Sequence, residues 1–356
     1  MADQLRQRAR LASHPLNDGT SPSFQVEGLQ RFALALKCIG FAGSGPPAAA
    51  AELGISASQD IADTVLRWRA MRNIFMLGLL VGLNLHASWV VWPSKVPQGQ
   101  SLLLRGPAGD SEIRLTKAPA DQNPTPWKCG AGDARCLLVA VPIDEKIGAR
   151  KIVLHDGGRE QVIKITVAKG KFKVDKLKID PKIATPSPED QKRAADERKE
   201  VEAAYALGGP NPLWSAAFVR PTSGPVTSIF GNQRMYNGKV QSTHFGTDVR
   251  ANEKTTIRAV SHGKVVLAKN LFYAGNMVLL DHGAQLFSSY AHLSKIDVTV
   301  GQEVAPGDKL GMAGATGRVT GPHLHWSSKL NGVPTDPAHL EKLMARAYRS
   351  KALTRK

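Results

Sequence analysis

Near the end of the chain, the sequence contains the stretch Gly321-Pro322-His323-Leu324-His325-Trp326. Apolar residues alternate here with two histidines, which is the pattern of a β-strand that has one buried face. Residues at positions i and i+2 of a strand point to the same side of its sheet. We therefore expect His323 and His325 to project side by side into one cleft.

A second pair of possible metal ligands lies upstream, in the segment His244-Phe245-Gly246-Thr247-Asp248. If this segment is extended, His244 and Asp248 lie on the same face. Two imidazoles and one carboxylate leave one position of a tetrahedral zinc ion open for water, which is the composition of a catalytic site. Taken singly, each histidine could equally be a satisfied core or surface residue, so these residues alone leave the metal site as a hypothesis.

The net charge favours an anionic partner. The 356 residues carry 47 Lys and Arg against 30 Asp and Glu, for a formal charge of +17. An excess of this size favours polyanions, but we find no nucleic-acid-binding motif and few aromatic residues among the basic ones. We therefore expect no nucleic acid as partner.

The N-terminal region does not resemble a folded domain. Residues 1–70 lack hydrophobic periodicity, and we interpret them as a non-native upstream extension. Residues 71–87 then show a short basic start, an apolar run and a small residue, Ala87, where a signal peptidase could cut. The alternative is a single membrane anchor. The first interpretation predicts export to the periplasm or cell envelope, with no stable membrane insertion after signal cleavage.

The remainder of the chain is expected to be mainly β. Short apolar runs between turn residues predict a small N-terminal β-sandwich over residues 92–182. Ser187 and Pro188 predict the start of a polar helix in a connecting region, residues 183–212. Residues 213–340 show further strands with glycine-containing turns, and residues 341–356 form a basic C-terminal tail.

The cysteines leave two interpretations open. Cys129 and Cys136 flank residues that favour a turn, and in an oxidising compartment they could form a disulfide. They could equally be two buried thiols. These two residues alone offer too few ligands for a zinc site.

Three motifs in order resemble the M23 family of zinc metallopeptidases, the lysostaphin/LytM-type peptidoglycan endopeptidases. They are His244-Phe245-Gly246-Thr247-Asp248, then Tyr290-Ala291-His292-Leu293-Ser294, and then Gly314 to Gly317 followed by Thr320 to Trp326. The resemblance implies an antiparallel β-sheet peptidase domain over residues 213–340 that binds one Zn²⁺ ion. The stretch before it resembles the β-domain and connecting helix of some family members.

The same resemblance assigns roles to individual residues. It implies that His244, Asp248 and His325 are the zinc ligands, and that His292 and His323 are the catalytic pair. Which of these two acts as the general base stays open. Tyr236 is a candidate for substrate binding, with a surface or packing role as the alternative.

The implied function is that of a secreted zinc-dependent endopeptidase, which hydrolyses peptide cross-links of bacterial peptidoglycan by means of an activated water. Its partners would be the peptide stems, and the absence of a lipobox favours D-Ala–diaminopimelate bonds in a Gram-negative periplasm. The alternative is a non-hydrolytic wall-binding module or an activator of other wall hydrolases. A lipoyl-like hairpin around residues 298–314 lacks a convincing lysine for modification. The oligomeric state is left open.

Overall fold

The computed structural model describes residues 88–130, 133–177, 186–236 and 239–348, with the backbone alone for residues 177, 236 and 239–241. The predicted upstream extension (1–70) and signal peptide (71–87) lie outside the described residues. The described parts belong to one compact unit and contain 21 strands and two α-helices. The chain is therefore mainly β, as predicted. Neither of the two described helices has the length and apolar character of a membrane span.

The N-terminal β-domain consists of two four-stranded sheets packed face to face. The first sheet has the order β1 (Val90–Trp92), β3 (Ser101–Gly106), β6 (Arg135–Ala140), β5 (Trp127–Lys128). The second has the order β2 (Lys95–Pro97), β8 (Arg159–Ala168), β7 (Gly148–Asp156), β4 (Ile113–Thr116). Leu102 and Leu104 from the first sheet meet Ile152 and Ile163 from the second in a buried hydrophobic core. The predicted β-sandwich is confirmed.

A strand and a helix connect the β-domain to the rest of the chain. Strand β9 (Val174–Leu177) pairs in parallel with β11 (Gln233–Tyr236), which also pairs with β12 (Lys239–Thr243). Helix α1 spans Pro188–Ala206, and its N-terminus is capped by Ser187, whose Oγ accepts a hydrogen bond from the Asp190 amide at 3.1 Å. This satisfies one of the amide groups that a helix start leaves without a partner.

The C-terminal part is built on a large, predominantly antiparallel sheet. Its main path runs β10 (Val226–Ser228), β13 (Thr247–Arg250), β20 (His323–Leu330), β17 (Leu286–Ile296), β16 (Gly275–Asp281), β15 (Gly263–Leu271), β18 (Glu303–Val304). Three short strands complete it, namely β14 (Thr256–Arg258), β19 (Lys309–Ala313) and β21 (Val333–Thr335). The polar helix α1 packs against this sheet through Tyr205, whose ring meets Phe287 edge-on at 5.0 Å.

The β-domain and the large sheet share one hydrophobic core. Leu103 and Leu138 of the first sheet belong to the same buried cluster as Leu343 and Met344 of helix α2 (Pro337–Ala347). Strand β3 is therefore buried on both faces, since Leu102 and Leu104 face the sandwich while Leu103 faces α2. Helix α2 continues past residue 340, where we placed the start of the tail.

The two cysteines lie within this shared core. Cys129 and Cys136 are joined in a disulfide, and both are buried. The adjacent Trp127 meets Trp214 edge-on, with ring centroids 5.5 Å apart. Of the two interpretations that the sequence left open, the structure has the disulfide.

The shared core can be tested with two adjacent leucines. Leu102→Ala and Leu103→Ala each remove a fully buried side chain, so each should lower the free energy of unfolding by about 2–5 kcal/mol. Leu103→Ala should speed hydrogen exchange in α2 more than Leu102→Ala does, because Leu103 packs in the buried cluster with α2 and Leu102 packs in the sandwich core. Native-state exchange followed by mass spectrometry measures this, and equal exchange in α2 for both variants would contradict a shared core.

Candidate metal centre

The register between two strands places the candidate ligands together. Strands β13 and β20 pair antiparallel, with Asp248 opposite His325 and Arg250 opposite His323. Alternate residues of each strand point to one face, so these four side chains share a face. Leu324, between the two histidines, is fully buried on the other face.

Three donor atoms meet at one point. His244 lies in the turn between β12 and β13, and its Nε2 is 3.0 Å from Asp248 Oδ1 and 3.0 Å from His325 Nδ1. The third side of the triangle, from His325 Nδ1 to Asp248 Oδ1, measures 2.9 Å. A tetrahedral zinc ion with bonds of about 2.0–2.1 Å keeps its ligand atoms roughly 3.3 Å apart. The triangle is therefore close to the size that one ion requires.

Hydrogen bonds behind the donors orient them. The Nδ1–H of His244 donates to the Ile229 carbonyl at 3.0 Å, which leaves Nε2 as the atom with a free lone pair. Burial lowers the pKa of His325 to about 4, although its hydrogen bond to Asp248 raises it in part. A neutral imidazole is the form that binds a metal, so the His325 ring is prepared for ligation at neutral pH.

Asp248 is held as a carboxylate by its neighbours. Burial raises its pKa, but the adjacent His244 and His325 rings outweigh burial and leave the pKa well below its ordinary value. Its second oxygen, Oδ2, accepts a hydrogen bond from Arg234 Nη2 at 2.6 Å. We did not identify Arg234 from the sequence, because it comes from β11 and no spacing rule relates it to Asp248.

His292 reaches the centre from the neighbouring strand. It has a left-handed backbone conformation, with φ of 65°, just after the β17–β20 ladder ends at Ala291. Its Nδ1–H donates to the Thr316 carbonyl at 2.9 Å, and its ring centroid lies 5.0 Å from that of His323. Burial lowers its pKa well below the ordinary value, and the charges of His325 and His323 lower it further. His292 is therefore neutral at neutral pH.

His323 has an unsatisfied atom that faces the same point. Its Nδ1–H donates to the Gly321 carbonyl at 2.8 Å. Its Nε2 lies 3.6 Å from Asp248 Oδ1, is buried, and has no hydrogen-bond partner among the described residues. A buried polar atom without a partner is costly. Its position beside the donor triangle fits a water held at the open position of a metal ion.

A cavity of about 550 Å³ adjoins the centre. Its walls come from β9, from β13 and from the loop of residues 318–322 that leads into His323. A cavity of this volume is in the range of small-ligand sites. The backbone of Tyr236 lies in β11, but its side chain is outside the described residues, so its candidate role stays a prediction.

The contact between Arg234 and Asp248 predicts an effect on metal affinity. Arg234→Gln should weaken zinc binding by about tenfold to a hundredfold, because partners behind a ligand orient it and tune its basicity. Competition with a chromophoric chelator measures this affinity. Arg234→Lys keeps the charge, so its zinc affinity should lie between those of the wild type and Arg234→Gln. Lys264→Gln removes the charge of an exposed lysine and is a matched control. An affinity equal to that of the wild type in Arg234→Gln would show that this contact does not support the site.

Comparisons of sequence and of structure with known proteins point to the same peptidase family. Residues 242–337 match peptidase family M23. A solved structure from Pseudomonas aeruginosa, assigned to peptidase M23, is 30% identical, with a TM-score of 0.52 over 68% of this chain and 93% of that one.

Two curated relatives are Vibrio cholerae peptidoglycan DD-endopeptidases. ShyA is 40% identical over 112 residues, which is 31% of this chain and 26% of ShyA. ShyB is 35% identical over 131 residues, which is 36% of this chain and 30% of ShyB. The match thus spans less than a third of either relative. The similarity to the Pseudomonas structure, over nearly all of its length, and the match of residues 242–337 show that the chain belongs to peptidase family M23.

Proposed function

We propose that this protein is a zinc-dependent endopeptidase that hydrolyses peptide cross-links of bacterial peptidoglycan, and that it acts after export to the periplasm or cell envelope. The observation that carries the proposal is the convergence of three donor atoms beside the unpartnered Nε2 of His323. The names of the curated relatives support peptidoglycan as the substrate. The basic charge of +17 agrees with an anionic wall polymer.

In this proposal, His244 Nε2, Asp248 Oδ1 and His325 Nδ1 would hold a single zinc ion. The ion would supply Lewis acidity, which activates water for attack and polarises the scissile carbonyl. Arg234 and the Ile229 carbonyl keep two of these ligands in position. His323 Nε2 lies next to these three ligand atoms. A proton acceptor is needed at this position.

The hydrogen bonds of the two other histidines indicate how they divide the proton transfer. Both use Nδ1–H to donate to a carbonyl, so both present Nε2 as an acceptor. His323 Nε2 lies 3.6 Å from Asp248 Oδ1, beside the donor triangle, and we assign it as the general base that would take a proton from the attacking water. His292 is buried, which disfavours its protonation. Its neutral ring would present the Nε2 lone pair to an N–H group of the substrate beside the scissile bond.

Metal content separates ligands from catalytic residues. After dialysis against zinc, the wild type should hold one ion per chain, and so should His292→Ala and His323→Ala. His244→Ala, Asp248→Ala and His325→Ala should each fall well below one, because two ligands hold zinc too weakly to survive dialysis. Inductively coupled plasma mass spectrometry gives the stoichiometry. Full zinc content in all three ligand variants would refute the assignment of the ligands.

Digestion of purified peptidoglycan tests the function itself. Peptidoglycan treated with the full chain and then with a muramidase should yield more uncross-linked muropeptides by mass spectrometry, and a chelator should abolish this gain until zinc is restored. His323→Ala should lower the rate by about 10²- to 10⁴-fold, as expected for loss of a general base. His262→Ala, at an exposed histidine outside the centre, is the matched control.

A second outcome would favour the alternative function. If the zinc-loaded wild type binds peptidoglycan without cleaving any cross-link, and a chelator leaves that binding unchanged, the protein is a wall-binding module or an activator of other hydrolases. Chelator-resistant cleavage would also contradict the proposal, since the donor triangle would then have no part in the reaction.

A further inference from the structure

The cavity beside the candidate metal centre is rich in cationic side chains. Its described lining contains two acidic side chains and four cationic ones, the latter being Lys176, Arg234, Arg250 and Arg318. A cavity lined mainly by one sign of charge concentrates ligands of the opposite sign. The lining therefore favours an anionic group on the substrate.

The two acidic residues do not cancel this excess. Asp248 is engaged by the imidazoles and by Arg234. Asp175, on β9, accepts hydrogen bonds from Ser228 Oγ at 2.6 Å and from Asn232 Nδ2 at 3.0 Å. These bonds hold its carboxylate in place. Neither carboxylate has a described contact with Arg250.

Arg250 has the most informative position of the four. It is two residues from Asp248 on β13, so its side chain leaves the sheet on the same face. It lies directly opposite His323 in the ladder, and opposed residues have Cβ atoms about 4.5–5.5 Å apart. The Arg250 side chain therefore begins directly beside the proposed general base. Its side chain is exposed to the cavity and to solvent.

A second cation belongs to the same part of the cavity. Arg318 lies in the loop that leads into β20, and its guanidinium packs over the Tyr273 ring at 4.3 Å. This contact, together with the bond from the Arg318 amide to the Tyr273 carbonyl at 2.8 Å, holds the loop in place. It adds to the positive potential that Arg250 provides.

We infer that Arg250 is a specificity residue that binds a free carboxylate of the peptide next to the scissile bond. The guanidinium fork matches a carboxylate with two parallel hydrogen bonds, whereas a carboxamide offers one acceptor oxygen and no charge. In a D-Ala–diaminopimelate cross-link, the carbon that bears the leaving nitrogen also carries a carboxylate. The inference rests on the proposed function, and it narrows the substrate class to cross-links with this carboxylate unamidated.

Binding measurements on two ligands test the inference without turnover. The ligands are monomeric stem peptides, which contain no cross-link to cut. In one, that carboxylate is the only free carboxyl group, and in the other it is a carboxamide. Isothermal titration calorimetry with the zinc-loaded full chain at low salt should show about tenfold tighter binding of the carboxylate peptide, the size expected for a charge-assisted hydrogen bond.

Variants of Arg250 show whether this residue causes the preference for the carboxylate peptide. Arg250→Gln should reduce the carboxylate-to-carboxamide ratio to near one, Arg250→Lys should keep part of it because the charge stays without the fork, and Lys264→Gln should leave it intact. A ratio near one in the wild type, or an unchanged ratio in Arg250→Gln, overturns the inference. Cleavage of a cross-linked dimer is measured in parallel. Its absence would count against the proposed function, while the binding ratio still decides the role of Arg250.

Discussion

The antiparallel pairing of β13 with β20 is the constraint on which the candidate centre depends. It sets Asp248 opposite His325 and Arg250 opposite His323. A slip by one residue would turn both histidines into the core and bring Leu324 and Trp326 into the cleft. The full burial of Leu324 and near-full burial of Trp326 oppose such a slip. The hydrophobic face of β20 thus holds the polar face in register.

The surroundings of this pairing add rigidity. The β-domain does not have a fully separate hydrophobic core, because Leu103 and Leu138 share a buried cluster with α2. Ser101 and Thr335 also meet across the two parts through a buried hydrogen bond of 2.7 Å between their hydroxyl groups. A chain cut at residue 213 would expose these surfaces. Strand β9, which follows the β-domain, forms part of the cavity wall, so the N-terminal region helps to shape the cleft.

Local patterns predicted much of this architecture. The alternation around His323 and His325 places both on one strand face, and the caps at Ser187 and Pro188 predicted the start of α1. Short apolar runs predicted the sandwich. The run Leu102-Leu103-Leu104 did not indicate which element packs against Leu103, on the face of β3 that points away from the sandwich. That partner, α2, lies more than 200 residues away in sequence, a separation that no periodicity spans. The resemblance to the M23 family, rather than spacing, selected His292, whose φ of 65° breaks the strand pattern. Arg234 and Arg250 could not be predicted from the sequence, because only strand pairing brings them next to the candidate metal ligands.

We propose that two imidazoles and one carboxylate hold a single zinc ion on the face that β13 and β20 share. Zinc K-edge X-ray absorption of the metal-loaded full chain tests this most directly, because it reports the type and distance of the bound atoms. We expect a four-coordinate ion with two imidazole nitrogens and oxygen ligands at about 2.0–2.2 Å. Sulfur scattering, or a shell of oxygens without imidazole, would contradict it.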